Sequence, residues 1–167
     1  RITCGNALML DWSLVCDDSA ECEVFLLGNP PYLSYSERNS SQKKDMDVVL
    51  LKLGNVKRLD YVACWFKKAA DYILGHTTYK FAFVTTNSLC QGEQVSLLWP
   101  YIFKQGLEIF FCHQTFEWSN SARGRAGVSC IIVGVRVAQK GPKYVFGSNR
   151  SKLASNISPY LIEGSNR

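Results

Sequence analysis

The stretch Val24-Phe25-Leu26-Leu27-Gly28-Asn29-Pro30-Pro31-Tyr32 decides the fold class. Its opening apolar run is too short for a helix and contains β-type side chains, which predicts a buried strand that ends at Gly28. Neither proline can donate a hydrogen bond to a strand ladder, so the chain must leave the sheet here in an extended turn. Ligands of open α/β sheets bind beyond the carboxyl ends of strands, and this turn is therefore the first candidate for a site.

Helix and strand patterns alternate downstream of this turn. Apolar residues recur at helical spacing over residues 59–73, with Lys67 and Lys68 predicted on the solvated face of this helix. A second helix is predicted over 93–104, kinked or restarted at Pro100. Strands are predicted over the apolar runs 81–84, 107–112 and 128–135 and over the short segment 143–146, and a polar, basic loop is predicted over residues 114–125. The alternation predicts an α/β fold with a mostly parallel sheet, an antiparallel final strand and helices on the faces.

Composition and charge limit the class of protein. The 167 residues are 47% hydrophobic, which excludes a disordered chain, and no apolar run approaches the roughly 20 residues that span a bilayer. Lys and Arg number 19 against 14 Asp and Glu, and the net charge of +5 would help a nucleic-acid ligand arrive without proving that one exists. The seven scattered cysteines lack a C-x-x-C pair, which favours a reduced, intracellular protein without a metal site.

Two polar regions lie outside these elements. Residues 33–56 are predicted to form a long, mobile loop that carries Lys43 and Lys44. Ser, Asn and Gly dominate after Gly147, so the domain is expected to cover residues 1–147. Residues 148–167 are expected to form a linker toward a missing neighbouring region, or the start of that region.

The turn after the first strand suits one chemical task. The side-chain oxygen of Asn29 and the free carbonyl of Pro30 can accept both hydrogens of an exocyclic amine, while the Tyr32 ring stacks on the flat base that bears the amine. The amine nitrogen is then oriented as a nucleophile without a strong base. The alternative is an ordinary turn after a strand, but a chance match to this sequence directly after an apolar strand is rare.

The same residues resemble the fourth motif, Asn/Asp-Pro-Pro-Tyr/Phe, of the S-adenosylmethionine-dependent amino methyltransferases. Nearly the whole chain is similar to the methyltransferase region of the bifunctional type IIG/IIL restriction-modification enzymes. The segments that carry this similarity are Gly28 to Tyr32, Leu59-Asp60-Tyr61-Val62-Ala63, Thr86-Asn87-Ser88, Gln91-Gly92-Glu93-Gln94-Val95, Leu98-Trp99-Pro100, Thr115-Phe116-Glu117-Trp118-Ser119-Asn120 and Ala122-Arg123-Gly124. The resemblance implies methylation of adenine N6 in double-stranded DNA, on a base flipped out of the duplex, in the cytoplasm of a prokaryote.

The resemblance also implies roles in binding the target base. Asn29 and the Pro30 carbonyl would hold the N6 amine, Pro31 would fix the turn, and Tyr32 would stack on the base. A second aromatic ring is expected on the other face of the base, with Phe116 preferred over Trp118, whose ring could instead pack under its loop.

Cofactor and DNA contacts follow from the same resemblance. Asn6, Ala7 and Leu8 correspond to the segment beside the adenine of the cofactor, near Asn29, although Asn6 could equally cap a turn. Arg123 and Arg125, together with Lys43 and Lys44, could contact DNA phosphates or form solvated surface.

The chain departs from the family pattern at its start. The glycine-rich loop and the acidic residue that hold most of S-adenosylmethionine in such enzymes cannot be found before Asn6. The expectation is the C-terminal part of a Rossmann-like class I methyltransferase sheet, inactive as an isolated fragment and prone to self-association through exposed strand edges. Two alternatives stay open: a methyltransferase acting on RNA or protein glutamine, and a catalytically inert nucleic-acid-binding module.

Overall fold

The computed structural model describes residues 2–15, 22–54, 56–118, 128–148 and 150–166, with Trp118 and Val128 described by their backbone alone. The strands are β1 (Phe25–Gly28), β2 (Lys80–Thr86), β3 (Leu107–Trp118), β4 (Val128–Val137), β5 (Lys143–Phe146) and β6 (Ser151–Ala154). The α-helices are α1 (Ser40–Val49), α2 (Ala63–Ile73) and α3 (Gly92–Lys104), and three 3-10 turns cover Trp12–Leu14, Leu51–Leu53 and Asn87–Cys90.

The six described strands form one mixed sheet in the order β1-β2-β4-β3-β5-β6. β1 is parallel to β2 and β3 is parallel to β5, whereas β4 is antiparallel to both of its neighbours and β6 is antiparallel to β5. β1, β2, β3 and β5 therefore share one direction. This confirms the predicted α/β class with a mostly parallel sheet, and it places one antiparallel strand, β4, inside the sheet.

One face of the sheet is packed under α2 and α3. Alternate β2 residues point into this layer, where the Phe66 ring lies edge-on to Phe81 and Phe83 at centroid distances of 5.7 and 5.5 Å. Trp99 of α3 contacts the same ring at 5.9 Å. The helix predicted over residues 93–104 is α3, which runs unbroken through Pro100. Of the two effects predicted for this proline, a kink or a restart, the restart does not occur. Within the described part of the chain, no helix is long and apolar enough to span a membrane.

The other face is open. Phe25 and Leu27 of β1 are 56% and 74% exposed, and Tyr144 and Phe146 of β5 are also exposed. The prediction of a buried first strand is wrong for this structure, because β1 is an edge strand and the described helices pack on the opposite face. A groove of about 520 Å³ crosses this open face beside Ala82.

Two regions are more ordered than their composition predicted. The segment predicted as a mobile loop contains α1, which begins with a capping box in which Asn39 and Gln42 exchange side-chain hydrogen bonds of 2.9 Å with each other's backbone amides. The segment predicted as a linker contributes β6 to the sheet and buries Ile157 and Leu161 in the core. Residues 150–166 are thus packed on the domain, because these two apolar side chains anchor an otherwise polar segment.

Candidate active site

The Asn29–Tyr32 turn leaves the carboxyl end of β1 as predicted. Pro30 is buried, Asn29 and Pro31 are exposed, and Tyr32 is half-buried. The Tyr32 hydroxyl donates a hydrogen bond of 2.6 Å to Asn29 Oδ1, and the Cys130 thiol donates to the same hydroxyl oxygen at 3.8 Å. The turn is therefore tied both to itself and to β4 at the middle of the sheet.

The environment of Tyr32 keeps its phenol protonated. Desolvation by burial is the largest cause that raises the pKa of Tyr32 to about 12, and the neighbouring Cys130 raises it further. The hydroxyl hence keeps its proton at neutral pH and acts as a donor toward Asn29.

The second predicted stacking residue lies beside the same cysteine. Phe116 and Thr86 are the direct partners of Cys130 on its two neighbouring strands, and paired residues project from the same face of a sheet. Cys130 thus contacts Tyr32 through its thiol and is paired with Phe116 across the strands, and the Phe116 ring is half-buried against His113 at a centroid distance of 5.1 Å.

The predicted loop positions need correction. Residues 114–118 were expected in a loop after residue 112, but β3 continues to Trp118 because β4 pairs with it along that length. The ring of Trp118, and the whole of Arg123 and Arg125, lie outside the described residues. Lys43 and Lys44 are exposed on α1, with the Lys43 ammonium 6.0 Å from the centre of the Tyr35 ring.

A cleft of about 470 Å³ opens on the β1 side of the turn. Its walls include the predicted cofactor residues Ala7 and Asn29, and the remaining residues that shape it are mostly apolar or aromatic: Trp12, Gly28, Pro30 and Trp65 among them. Leu8 is buried in the core behind this wall. A cleft lined by apolar and aromatic residues together with one side-chain amide suits a planar, partly polar ligand.

Asn6 is engaged within the protein. Its side-chain oxygen accepts from the backbone amide of Leu8 at 3.0 Å, and its side-chain nitrogen donates to the Asp45 carboxylate at 3.1 Å. This is the turn-capping alternative. Asp45 also accepts a 2.6 Å hydrogen bond from Tyr61, so this buried carboxylate joins α1, the start of α2 and the Asn6 turn.

Lys68 is a site residue that the sequence analysis missed. It was predicted to be solvated, yet its ammonium donates to the carbonyl oxygens of Leu8, at 2.7 Å, and Leu10, and lies 5.1 Å from the centre of the Trp12 ring. Burial lowers the pKa of Lys68. Lys68 therefore holds the wall of the cleft against α2, a contact for which helical spacing alone carries no signal.

Three of the segments that carry the family resemblance meet at Asp60. Its Oδ2 atom accepts from Ser88 Oγ at 2.6 Å and from Gln94 Nε2 at 2.8 Å. The network fixes the end of β2 to the starts of α2 and α3 near the carboxyl edge of the sheet. Among the described residues, no group of three or more His, Cys, Asp or Glu side chains could hold a metal ion.

An α/β sheet that presents Asn-Pro-Pro-Tyr at a strand end, between an apolar cleft and a second aromatic ring, has the organisation of an amino-methyltransferase catalytic region. The chain belongs to the family of the MmeI DNA-methyltransferase domain, whose model matches residues 1–147.

Two longer proteins resemble the chain over nearly all of its length. It is 45% identical to DNA methyltransferase A of Bacillus subtilis (strain 168) over 166 residues, which are 99% of this chain and 19% of that protein. It also matches the structure of the type IIL restriction-modification enzyme MmeI in complex with DNA, with 40% identity and a TM-score of 0.89 over 98% of this chain and 22% of that one. The chain thus spans about a fifth of the length of each relative.

Proposed function

We propose that the chain is part of a longer restriction-modification DNA methyltransferase, and that it transfers a methyl group from S-adenosylmethionine to the N6 amine of adenine. The observation that carries this proposal is the Asn29–Tyr32 turn, set between the cleft and Phe116. The 40% identity to MmeI, whose structure contains DNA, supports a DNA substrate.

The residues of the turn act on a base that has left the duplex. Asn29 Oδ1 and the Pro30 carbonyl each accept one amine hydrogen, which directs the nitrogen lone pair toward the cleft. Tyr32 and Phe116 stack on the two faces of the base, and Trp118 is the alternative partner for the second face. The increase in the rate of methyl transfer comes from positioning of the amine and from exclusion of water. After transfer, the methylated amine releases a proton to solvent.

The cleft fits the adenosine part of the methyl donor. Ala7, Trp12, Trp65 and Asn29 would contact it, with Leu8 supporting the wall and Asn6 fixing the turn before it. When bound, S-adenosylmethionine supplies a methyl group activated by its positively charged sulfur. Asn29 lies at the boundary of the cleft and can therefore contribute to both the cofactor site and the base site.

We expect Lys68→Met to raise the dissociation constant for S-adenosylmethionine by about tenfold, because the wall of the cleft loses a charged donor to two carbonyls. Isothermal titration of the native polypeptide measures this change. The matched control is Lys67→Met, since Lys67 pairs with Asp71 and does not contact the wall. Equal affinities for the wild type and Lys68→Met would contradict this role.

The polymer that accepts the methyl group distinguishes the proposed function from its alternatives. The native polypeptide that contains this chain is incubated with labelled S-adenosylmethionine and with DNA, RNA or protein in separate reactions. We expect label in DNA alone. Label in RNA or in protein glutamine would replace the DNA assignment, and retention of DNA without any transfer would favour an inert nucleic-acid-binding module.

Lys43 and Lys44, which are exposed on α1, are proposed to contact DNA phosphates, as are Arg123 and Arg125. For Lys43→Ala and Lys44→Ala, we expect the slope of log affinity against log salt to decrease in magnitude by about one each, because each change removes one phosphate contact. Fluorescence anisotropy at several salt concentrations measures the slope. An unchanged slope in both variants would show that these lysines are solvated surface.

The isolated chain is proposed to be inactive and to self-associate through its exposed strand edges, of which β1 is one. We expect the 167-residue chain to elute above its monomer mass of 18.8 kDa in light-scattering chromatography, and Leu27→Lys to shift it toward the monomer. Leu51→Lys is the control, since Leu51 is 80% exposed outside the sheet. A monomeric wild-type chain would contradict this proposal.

The protein is proposed to act in the cytoplasm of a prokaryote, because a DNA substrate and reduced cysteines fit that compartment.

A further inference from the structure

The hydrogen bond from Tyr32 distinguishes the oxygen of the Asn29 side-chain amide from its nitrogen. An asparagine side chain carries an acceptor oxygen and a donor nitrogen of nearly equal size, and only the oxygen can receive an amine hydrogen. The Tyr32 hydroxyl has a single hydrogen, and it donates to Asn29 Oδ1 over 2.6 Å. A reversed amide could accept no hydrogen from Tyr32, and its nitrogen would compete with the Cys130 thiol for the hydroxyl oxygen.

The Cys130 thiol influences the direction in which the Tyr32 hydroxyl donates its hydrogen. Cys130 donates to the hydroxyl oxygen at 3.8 Å, so the hydrogen of Tyr32 is directed away from the thiol and toward Asn29. Cys130 is fully buried on β4, which pairs along its length with β2 and β3. These two hydrogen bonds thus connect a buried side chain inside the sheet to an exposed amide.

We propose that Cys130 and the Tyr32 hydroxyl are positioning groups that orient the Asn29 amide, with its oxygen toward the target amine, before the base arrives. The inference rests on the proposed function, and it adds a role for the hydroxyl that is separate from stacking by the ring. The amide oxygen has two lone pairs, so it can keep the bond from Tyr32 while it accepts an amine hydrogen.

The kinetic test uses the native polypeptide with labelled S-adenosylmethionine and DNA under single-turnover conditions. Tyr32→Phe keeps the stacking ring and is expected to lower the rate constant by about tenfold, and Cys130→Ala by about two- to threefold. Cys130→Ser keeps a donor and should retain the wild-type rate. In the Tyr32→Phe background, Cys130→Ala should have no further effect, whereas a cysteine that acts only through packing would have the same effect in both backgrounds.

A second readout does not depend on substrate or activity. In protein labelled with ¹⁵N-asparagine, the side-chain amide signal that disappears in Asn29→Ala identifies Asn29. We expect this signal to shift in Tyr32→Phe and in Cys130→Ala, but not in Tyr35→Phe, which removes a hydroxyl from an exposed tyrosine.

The outcomes separate the two proposals. An Asn29 signal that does not move in Tyr32→Phe overturns the orienting role whether or not DNA is methylated. A shifted signal without methyl transfer in the wild type overturns the proposed function alone. A shifted signal with unchanged rates in Tyr32→Phe shows that the orientation has no part in the reaction, which also overturns the inference.

Discussion

Asn29→Ala is expected to lower the rate of methyl transfer to DNA by on the order of 10²–10³-fold, because the variant loses a preorganised acceptor at the reacting amine. The Pro30 carbonyl alone cannot fix the direction of the nitrogen lone pair. Asn29 is exposed, and its side chain accepts a hydrogen bond from Tyr32 within the same turn, so the substitution should leave the fold intact. Single-turnover transfer of labelled methyl groups in the native polypeptide measures the effect.

Asn29→Asp is the matched variant. It keeps an oxygen at the position of Oδ1, and aspartate occurs at this position of the family motif, so it should retain part of the activity that the alanine variant loses. Melting temperatures of both variants should equal that of the wild type. A rate for Asn29→Ala within threefold of the wild type would contradict the assigned role.

Glu108→Gln is expected to lower the free energy of unfolding by roughly 3–5 kcal/mol, because it leaves two buried cations without their anion. Glu108 Oε1 accepts from Arg136 Nε at 2.9 Å, and Oε2 accepts from Lys143 Nζ at 2.8 Å. The three side chains are no more than 10% exposed. This carboxylate joins β3, β4 and β5 and is the centre of a buried charge network.

The exposed ion pair between Arg58 and Glu93 gives the control. Its side chains are 67% and 63% exposed, so solvent screens the pair and Glu93→Gln should leave the urea midpoint of the chain unchanged. Urea unfolding of the two variants and the wild type compares the buried and exposed carboxylates directly. A midpoint for Glu108→Gln at or above that of the wild type would contradict the structural role of the network.

Structure could be predicted from the sequence where local patterns determine it. The turn after β1 was predictable because two prolines must end a strand, and α2 was predictable because its apolar face repeats at helical spacing. In each case the residues that carry the signal lie close together along the chain.

The parts that were missed depend on distant partners. β1 has the apolar sequence of a buried strand, but its exposure is set by which elements pack on the sheet. Phe116 was expected in a loop, although pairing with β4 extends β3 through it. Lys68 gave no sequence signal, because its partners are backbone carbonyls nearly 60 positions away. The start of α1 was the exception, since the Asn39–Gln42 capping box is a local pattern that the analysis passed over.

The central claim is that the Asn29–Tyr32 turn receives the N6 amine of adenine in DNA. The most direct test incubates the native polypeptide with DNA and S-adenosylmethionine, digests the DNA to nucleosides and identifies the methylated product by mass spectrometry. The account predicts N6-methyladenine in the wild type and its loss in Asn29→Ala. A methylated cytosine, or unmodified DNA from a protein that still binds the methyl donor, would contradict it.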